Sequence, residues 1–282
     1  MERREFLKSL AVGLIGVGLG GEALAKAAKG RGVTAEKYDD HIKDYLSKMK
    51  NFCRPHKDDV YLNREEFLLL ESCVKRLKDL QRTVGHGNFY ILNLDGAIGT
   101  ARKYPRVGRF TKAELDFLEK IFYQDSVAYG FLGEKPLKRI TDRIRRRKVV
   151  KVPGTGNYLY KGLPLETYQR IKRDVGDQAI LTSGVRSIIK QFLLFLNKAQ
   201  RTKGNLSLAS RSLAPPGYSF HGVSDFDMGQ VGLGVSNFSL RFMETEVFKR
   251  LRDLDYVSLR YPKGNLLGVR FEPWHIQVYP TA

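Results

Sequence analysis

The chain has 282 residues, 42% hydrophobic and 28% charged, enough apolar material for one large domain or two small ones, which excludes a disordered or collagen-like polymer. Its 49 Lys and Arg against 30 Asp and Glu give a net charge of +19, a field that concentrates polyanions such as nucleic acid, anionic lipid or cell-wall polymer without choosing among them. Two cysteines, Cys53 and Cys73, exclude a disulfide-dense scaffold and a four-thiolate zinc cluster, and leave one bridge or two free thiols.

Residues 1–25 read as an export signal: Arg3 and Arg4 at a charged start, an apolar stretch from Leu10 to Leu19, and Ala23-Leu24-Ala25 for cleavage. The run Arg3-Arg4-Glu5-Phe6-Leu7-Lys8 resembles the twin-arginine signal of proteins exported already folded. The stretch is shorter than the roughly 20 apolar residues that span a bilayer, so the mature chain, from near Lys26, is expected in the periplasm or cell envelope with no stable membrane span. Cations Arg3, Arg4 and Lys8 balance acids Glu2, Glu5 and Glu22 in the signal, so the basic character belongs to the mature protein. Gly16, Gly18 and Gly21 spell G-x-G-x-x-G with Asp39 beyond, but no core strand precedes them and none leads to Asp39, so no dinucleotide site is read there.

From about Tyr38 to Gly133 the periodicity is mainly helical. Ile42, Tyr45, Leu46 and Met49 share a face; Asn63 can cap a helix carrying Phe67, Leu70, Val74 and Leu77 that Gly85 ends; Thr111-Lys112-Ala113-Glu114 is a capping box before Phe117, Leu118, Ile121 and Phe122. A basic connector follows from Lys135 to Lys151, including Arg145-Arg146-Arg147-Lys148, and then a Gly/Pro/Tyr-rich stretch from Pro153 to Pro164. Beyond it Leu165, Tyr168, Ile171 and Val175 mark a helix stopped by Gly176, Ala179-Ile180-Leu181 a short strand, Ile188 to Leu196 a strongly apolar helix, and Val247, Phe248, Leu251 and Leu254 another. Tyr256 to Tyr261 and Gly268 to Phe271 read as closing strands. The class is α+β: a signal at 1–25, a mainly helical N-terminal region at 26–152, and a small sheet-containing domain at 153–282.

Five histidines could carry chemistry. His41 opens a charged helix, His56 sits in Arg54-Pro55-His56-Lys57 and His86 between two glycines, surroundings that suit surface or packing residues. His221 differs, because the Pro215-Pro216-Gly217 turn delivers it and Asp225 and Asp227 follow; His275 closes Phe271-Glu272-Pro273-Trp274-His275. With Leu181-Thr182-Ser183-Gly184-Val185-Arg186-Ser187, these segments resemble the three motifs of the zinc D-alanyl-D-alanine carboxypeptidases and dipeptidases, the family that shares its fold with the hedgehog signalling domain. The resemblance runs from about Gly162 to the C-terminus and implies an antiparallel-sheet zinc-peptidase domain.

A catalytic zinc takes three protein ligands and keeps one position open, a role that His221, an aspartate and His275 would fill for one Zn²⁺ per chain. Glu272, three residues before His275, is the candidate base. In a regular strand an odd separation sends two side chains to opposite faces, and Pro273 is what disturbs that regularity. Arg186 suits a substrate carboxylate or a developing oxyanion. The resemblance places Arg186 in the active site, implies that Glu272 acts as base and acid, and offers Ser183, Gln191 and Ser219 as substrate-binding residues.

The family pattern puts six residues between the first His and the Asp, whereas five separate His221 from Asp227. Asp225 and Asp227 have the same parity, so on a strand either could reach the metal; Asp227 aligns best with the family motif. The implied function is zinc-dependent hydrolysis of peptidoglycan stem peptides, by a D-alanyl-D-alanine carboxypeptidase or an endopeptidase, with anionic wall polymers as further partners. The alternative is a wall-binding protein of the same fold without turnover. No nucleic-acid recognition motif appears, and no nucleic-acid partner is expected.

Overall fold

The computed structural model describes residues 44–278. The signal at 1–25, His41 and Ile42 lie outside that range. Among the described residues no helix is long and apolar enough to cross a membrane. Residues 44–50 are helical, and Tyr45 anchors the segment by donating its hydroxyl to the Asn265 carbonyl at 2.8 Å.

The N-terminal helices start where their caps dictate. Helix α1 (Arg64–Val84) follows Asn63, which accepts from the Glu66 amide while the Glu66 carboxylate accepts from the Asn63 amide, a reciprocal pair of the kind worth about 1 kcal/mol. Helix α2 (Leu94–Lys103) begins after Asn93, and α3 (Lys112–Tyr123) begins with the capping box of Thr111 and Glu114. Both cysteines are free, Cys53 exposed and Cys73 buried, and burial pushes the Cys73 thiol up to about 12.

The basic connector is irregular up to Arg145, but its end and the Gly/Pro/Tyr-rich stretch are not an open link. They make an antiparallel hairpin of β1 (Val149–Lys151) and β2 (Tyr158–Tyr160), pairing Val149 with Tyr160, so a ladder crosses the expected junction at 152/153. After α4 (Leu163–Val175) comes a four-stranded antiparallel sheet in the order β3-β4-β6-β5: β3 (Ala179–Ser183), β4 (Phe226–Gln230), β6 (His275–Gln277) and β5 (Ser258–Leu259). The closing strand is therefore His275–Gln277, and Gly268 to Phe271 is not a strand. Gly268 has φ 77°, left-handed backbone that breaks an extended run.

The described residues build two main cores, one of them on the sheet. Leu181, Phe226, Met228 and Ile276 meet Ile171 and Val175 of α4 and Val247 and Leu251 of α7 (Glu246–Arg252), while α5 (Ile188–Arg201) and α6 (Leu206–Ser210) lie between β3 and β4 in sequence. Ile188, Phe192, Phe195 and Leu196 of α5 join Leu70, Leu77, Phe117 and Phe122 in the larger core, so the C-terminal half and the helical region share buried apolar surface. Phe226, Met228 and Ile276 point into the first core, and strand alternation turns Asp227 and His275 to the other face.

Candidate metal centre

Register brings the acidic and imidazole groups together. Asp227 of β4 pairs directly with His275 of β6, so their side chains stand side by side on one face of the sheet. On the other edge a bulge between Leu181 and Ser183 puts Ser183, rather than Thr182, opposite Asp227 and turns its hydroxyl onto that face. His221 arrives from a tight turn in which the Phe220 carbonyl accepts from the amides of Val223, Ser224 and Asp225, at 2.9–3.1 Å. This turn accommodates the five-residue separation between His221 and Asp227.

One donor atom from each of His221, Asp227 and His275 lies within 4.8 Å of the others, and all three residues are buried. His221 Nε2 is 3.3 Å and His275 Nδ1 3.7 Å from Asp227 Oδ1. That oxygen nonetheless receives no hydrogen bond. A buried carboxylate oxygen without a donor is costly, and two ring nitrogens facing it from different elements supply what a tetrahedral cation needs with one position left open. The residues present fit a zinc ion on that ground.

The far side of each imidazole is fixed. His221 Nδ1 lies 2.8 Å from the Gly184 carbonyl, which leaves Nε2 facing Asp227. Gly184 is needed there, because a Cβ would stand 2.0 Å from the Tyr158 carbonyl oxygen. His275 Nε2 lies 3.2 Å from Asp225 Oδ2. Asp225 in turn accepts from Arg260 Nε at 2.7 Å and Nη2 at 3.1 Å, from the Val278 amide at 2.9 Å and from Ser224 Oγ at 3.2 Å. The Arg260 guanidinium also lies 3.7 Å from the Phe220 ring centroid, tying the His221 turn to the same carboxylate. Asp225 and Asp227 thus hold different positions: Asp227 faces both histidines, and Asp225 faces the outer nitrogen of one.

Charge follows the geometry. Burial would raise the Asp225 carboxyl, but the hydrogen bonds from His275 and Arg260 outweigh it and hold the group below the usual carboxylate range. Burial would depress His275, yet its hydrogen bonds to Asp225 and Glu272 and the charges of Asp227 and Asp225 lift it to about 9. Burial and then the Arg186 charge push His221 down, against the pull of Asp227.

Glu272 Oε2 reaches His275 Nδ1 at 3.1 Å, although the residues are three apart. The Glu272-Pro273-Trp274-His275 segment is a turn closed by the His275 amide on the Glu272 carbonyl at 3.3 Å, so strand parity does not apply until His275. Arg186 donates Nη1 to Gln191 Oε1 at 3.1 Å and Nη2 to Ser183 Oγ at 3.0 Å, and Nη2 lies 3.5 Å from Asp227 Oδ2. Its Nε has no partner. Ser183 and Gln191 therefore grip the arginine, and Gln191 is itself fixed on the Ala214 carbonyl. Ser219 is buried before the His221 turn, where its carbonyl accepts from the Gly222 amide at 3.2 Å.

Sequence reasoning missed three residues at this site: Arg260, Tyr261 and Tyr90. The Tyr261 ring packs edge-on to His275 with centroids 5.1 Å apart. Burial raises the Tyr90 hydroxyl, and the Tyr90 carbonyl accepts from the Ser187 amide at 2.8 Å, next to Arg186, so the helical region reaches the site. None of them carries a motif signal. His56 and His86 lie outside it: His56 sits between Asp44 and Asp58, and His86 opens a single helical turn.

Residues 164–281 match the family model of VanY, D-alanyl-D-alanine carboxypeptidase, so the resemblance read in the sequence holds over the C-terminal part of the chain, and that family is one of peptidases. No curated protein matches the chain. Solved structures that resemble it include a mutant of the vancomycin-resistance D,D-pentapeptidase VanY from a VanB-type cassette in complex with Zn(II), at 25% identity over 46% of this chain and 76% of that one, with a TM-score of 0.36. VanYB in complex with D-alanine-D-alanine is 25% identical over 46% and 75% of the two chains, with a TM-score of 0.37. The vancomycin-resistance D,D-dipeptidase VanXYg in complex with a D-Ala-D-Ala phosphinate analogue is 18% identical over 52% of this chain and 58% of that one, with a TM-score of 0.38.

Proposed function

We propose that this chain is an exported zinc peptidase of the cell envelope that removes the terminal D-amino acid from peptidoglycan stem peptides, as a D-alanyl-D-alanine carboxypeptidase. The observation that carries the reading is the buried meeting of His221, Asp227 and His275 around a carboxylate oxygen that no donor satisfies. These residues would hold one zinc ion, which when bound supplies a Lewis acid that polarises the scissile carbonyl and acidifies a water.

The remaining steps belong to the chain's own side chains. Glu272, 3.1 Å from His275 Nδ1, stands beside the ligand set and takes the proton from the attacking water, then returns it to the leaving amine. Arg186 is held at both Nη atoms by Ser183 and Gln191, and its free Nε is a preorganised donor for the substrate carboxylate or for charge developing on the carbonyl oxygen. Ser183 and Gln191 act through that arginine. The buried surroundings exclude bulk water and strengthen each of these contacts. The retained Glu272 supports turnover over a binding protein that has lost it.

The test is incubation of the metal-loaded mature protein with defined muropeptides and identification of products by mass. Release of a single terminal D-alanine, abolished by a chelator and restored by zinc, is the expected result. Intact muropeptides in the zinc-loaded sample would overturn the proposal.

A further inference from the structure

A cleft of about 520 Å³ opens beside the His221 turn, and one of its walls is built by the basic connector, which precedes the span matched by the family model. Arg139, Arg143, Arg145 and Lys148 line that wall; Gly222 and Val223, directly after His221, line the other. The acid in the cleft, Asp142, is already used: it accepts from the amides of Lys138 and Arg139, both at 3.0 Å, and from Arg139 Nε at 3.1 Å. Arg143, Arg145 and Lys148 have no carboxylate within ion-pair distance among the described residues. Cations gathered on a concave wall repel one another unless an anion joins them.

The wall is fastened to the candidate metal centre. Tyr160 of β2 donates its hydroxyl to the Gly222 carbonyl at 2.6 Å, and Leu137 packs so closely that a Cβ on Gly222 would lie 2.6 Å from its Cδ1. The Arg186 amide donates to the His221 carbonyl at 3.0 Å, so the same turn touches the arginine that faces the site. A ligand in the cleft therefore lies against the residues that follow His221. The volume suits a few residues of an extended peptide better than a stretch of polymer.

We propose that this cleft is a subsite for the carboxylates of the substrate peptide remote from the scissile bond, supplied by the N-terminal region rather than by the peptidase domain. It rests on the peptidase reading for the identity of the peptide. Exposed ion pairs are each modest, but three acting together on one peptide are worth about ten-fold in KM. Because they bind substrate and transition state alike, they leave kcat in place.

The test compares the full zinc-loaded chain with an Arg143→Gln/Arg145→Gln/Lys148→Gln variant on two stem peptides, one with free internal carboxylates and one with those groups amidated. The expected result is a KM raised about ten-fold for the carboxylate peptide, an unchanged kcat, and identical constants for the amidated one, with added salt mimicking the variant. Equal kinetics of the two proteins on the carboxylate peptide, or an equal loss on both peptides, would overturn the subsite. The same pair of peptides is also titrated, fluorescently labelled, against chelated protein. There a preference for the carboxylate form that the variant lacks supports the subsite even if neither peptide is cleaved, and equal binding by both proteins, or displacement by polyphosphate at lower concentration than by the peptide, contradicts it.

Discussion

Asp225 and Asp227 approach one imidazole from opposite sides, and that division of labour is the main lesson at the scale of single residues. Asp227 faces His275 Nδ1 and His221 Nε2, whereas Asp225 takes His275 Nε2 and is itself held by Arg260, Ser224 and the Val278 amide. A carboxylate behind a histidine fixes its ring and tautomer, and its loss typically weakens metal binding about 10–100-fold. Asp225→Asn is therefore expected to weaken zinc binding by about that factor while zinc still binds at saturation, whereas Asp227→Asn abolishes it; a chelator-competition titration of the two variants reads the difference. Equal affinities in the two would dissolve the distinction. That His221, Asp227, His275, Glu272 and Arg186 come together was legible in the sequence because each sits in a short motif. The separation of the two aspartates was not, since equal parity gives them one face, and Arg260 sits in Leu259-Arg260-Tyr261 with nothing to mark its partner.

Secondary structure was legible where a side chain closes the backbone locally. Asn63 and Thr111 cap the helices expected of them, because a cap is a contact between residues three apart. The β1–β2 hairpin was not legible, since its strands are three residues each and their pairing is a tertiary choice that composition rich in Gly, Pro and Arg conceals. The strand at His275 starts only after the Pro273 turn, which is why Glu272 and His275 converge. Helix α5 carries a testable liability. Lys190 is buried, and that burial together with the Arg186 charge pushes its amine down to about 8. Below pH 8 the amine is charged in both folded and unfolded chains and the burial penalty stands. As pH rises from about 8 towards the ordinary value of 10.5 the folded state loses the proton first, and stability increases. Lys190→Met should accordingly stabilise the protein at pH 7 by about 1–3 kcal/mol, with the gain shrinking as pH climbs through that window. Denaturant unfolding at several pH values measures it, and a gain independent of pH would contradict the account.

For the molecule as a whole, the helical region and the C-terminal part are joined by a shared core around α5, by the hairpin, by the Tyr90 carbonyl that accepts from the Ser187 amide, and by the basic wall beside the His221 turn. Ligand binding to the folded state alone stabilises everything coupled to it, by about 2.7 kcal/mol at a hundred-fold excess over the dissociation constant. Zinc at that excess should raise the melting temperature of the mature chain by about 5–10 °C in a single transition, with far-ultraviolet and tyrosine signals moving together. A zinc-dependent shift in one of two separate transitions would show that the regions unfold apart.

The account rests on His221, Asp227 and His275 meeting around one cation, with Glu272 beside it and outside the ligand set. The direct measurement is zinc content per chain, by elemental analysis after dialysis, for the mature protein and two variants. The expected values are one zinc in the parent and in Glu272→Ala, and none in His275→Ala. Full zinc retained by His275→Ala, or zinc lost from Glu272→Ala, would contradict it.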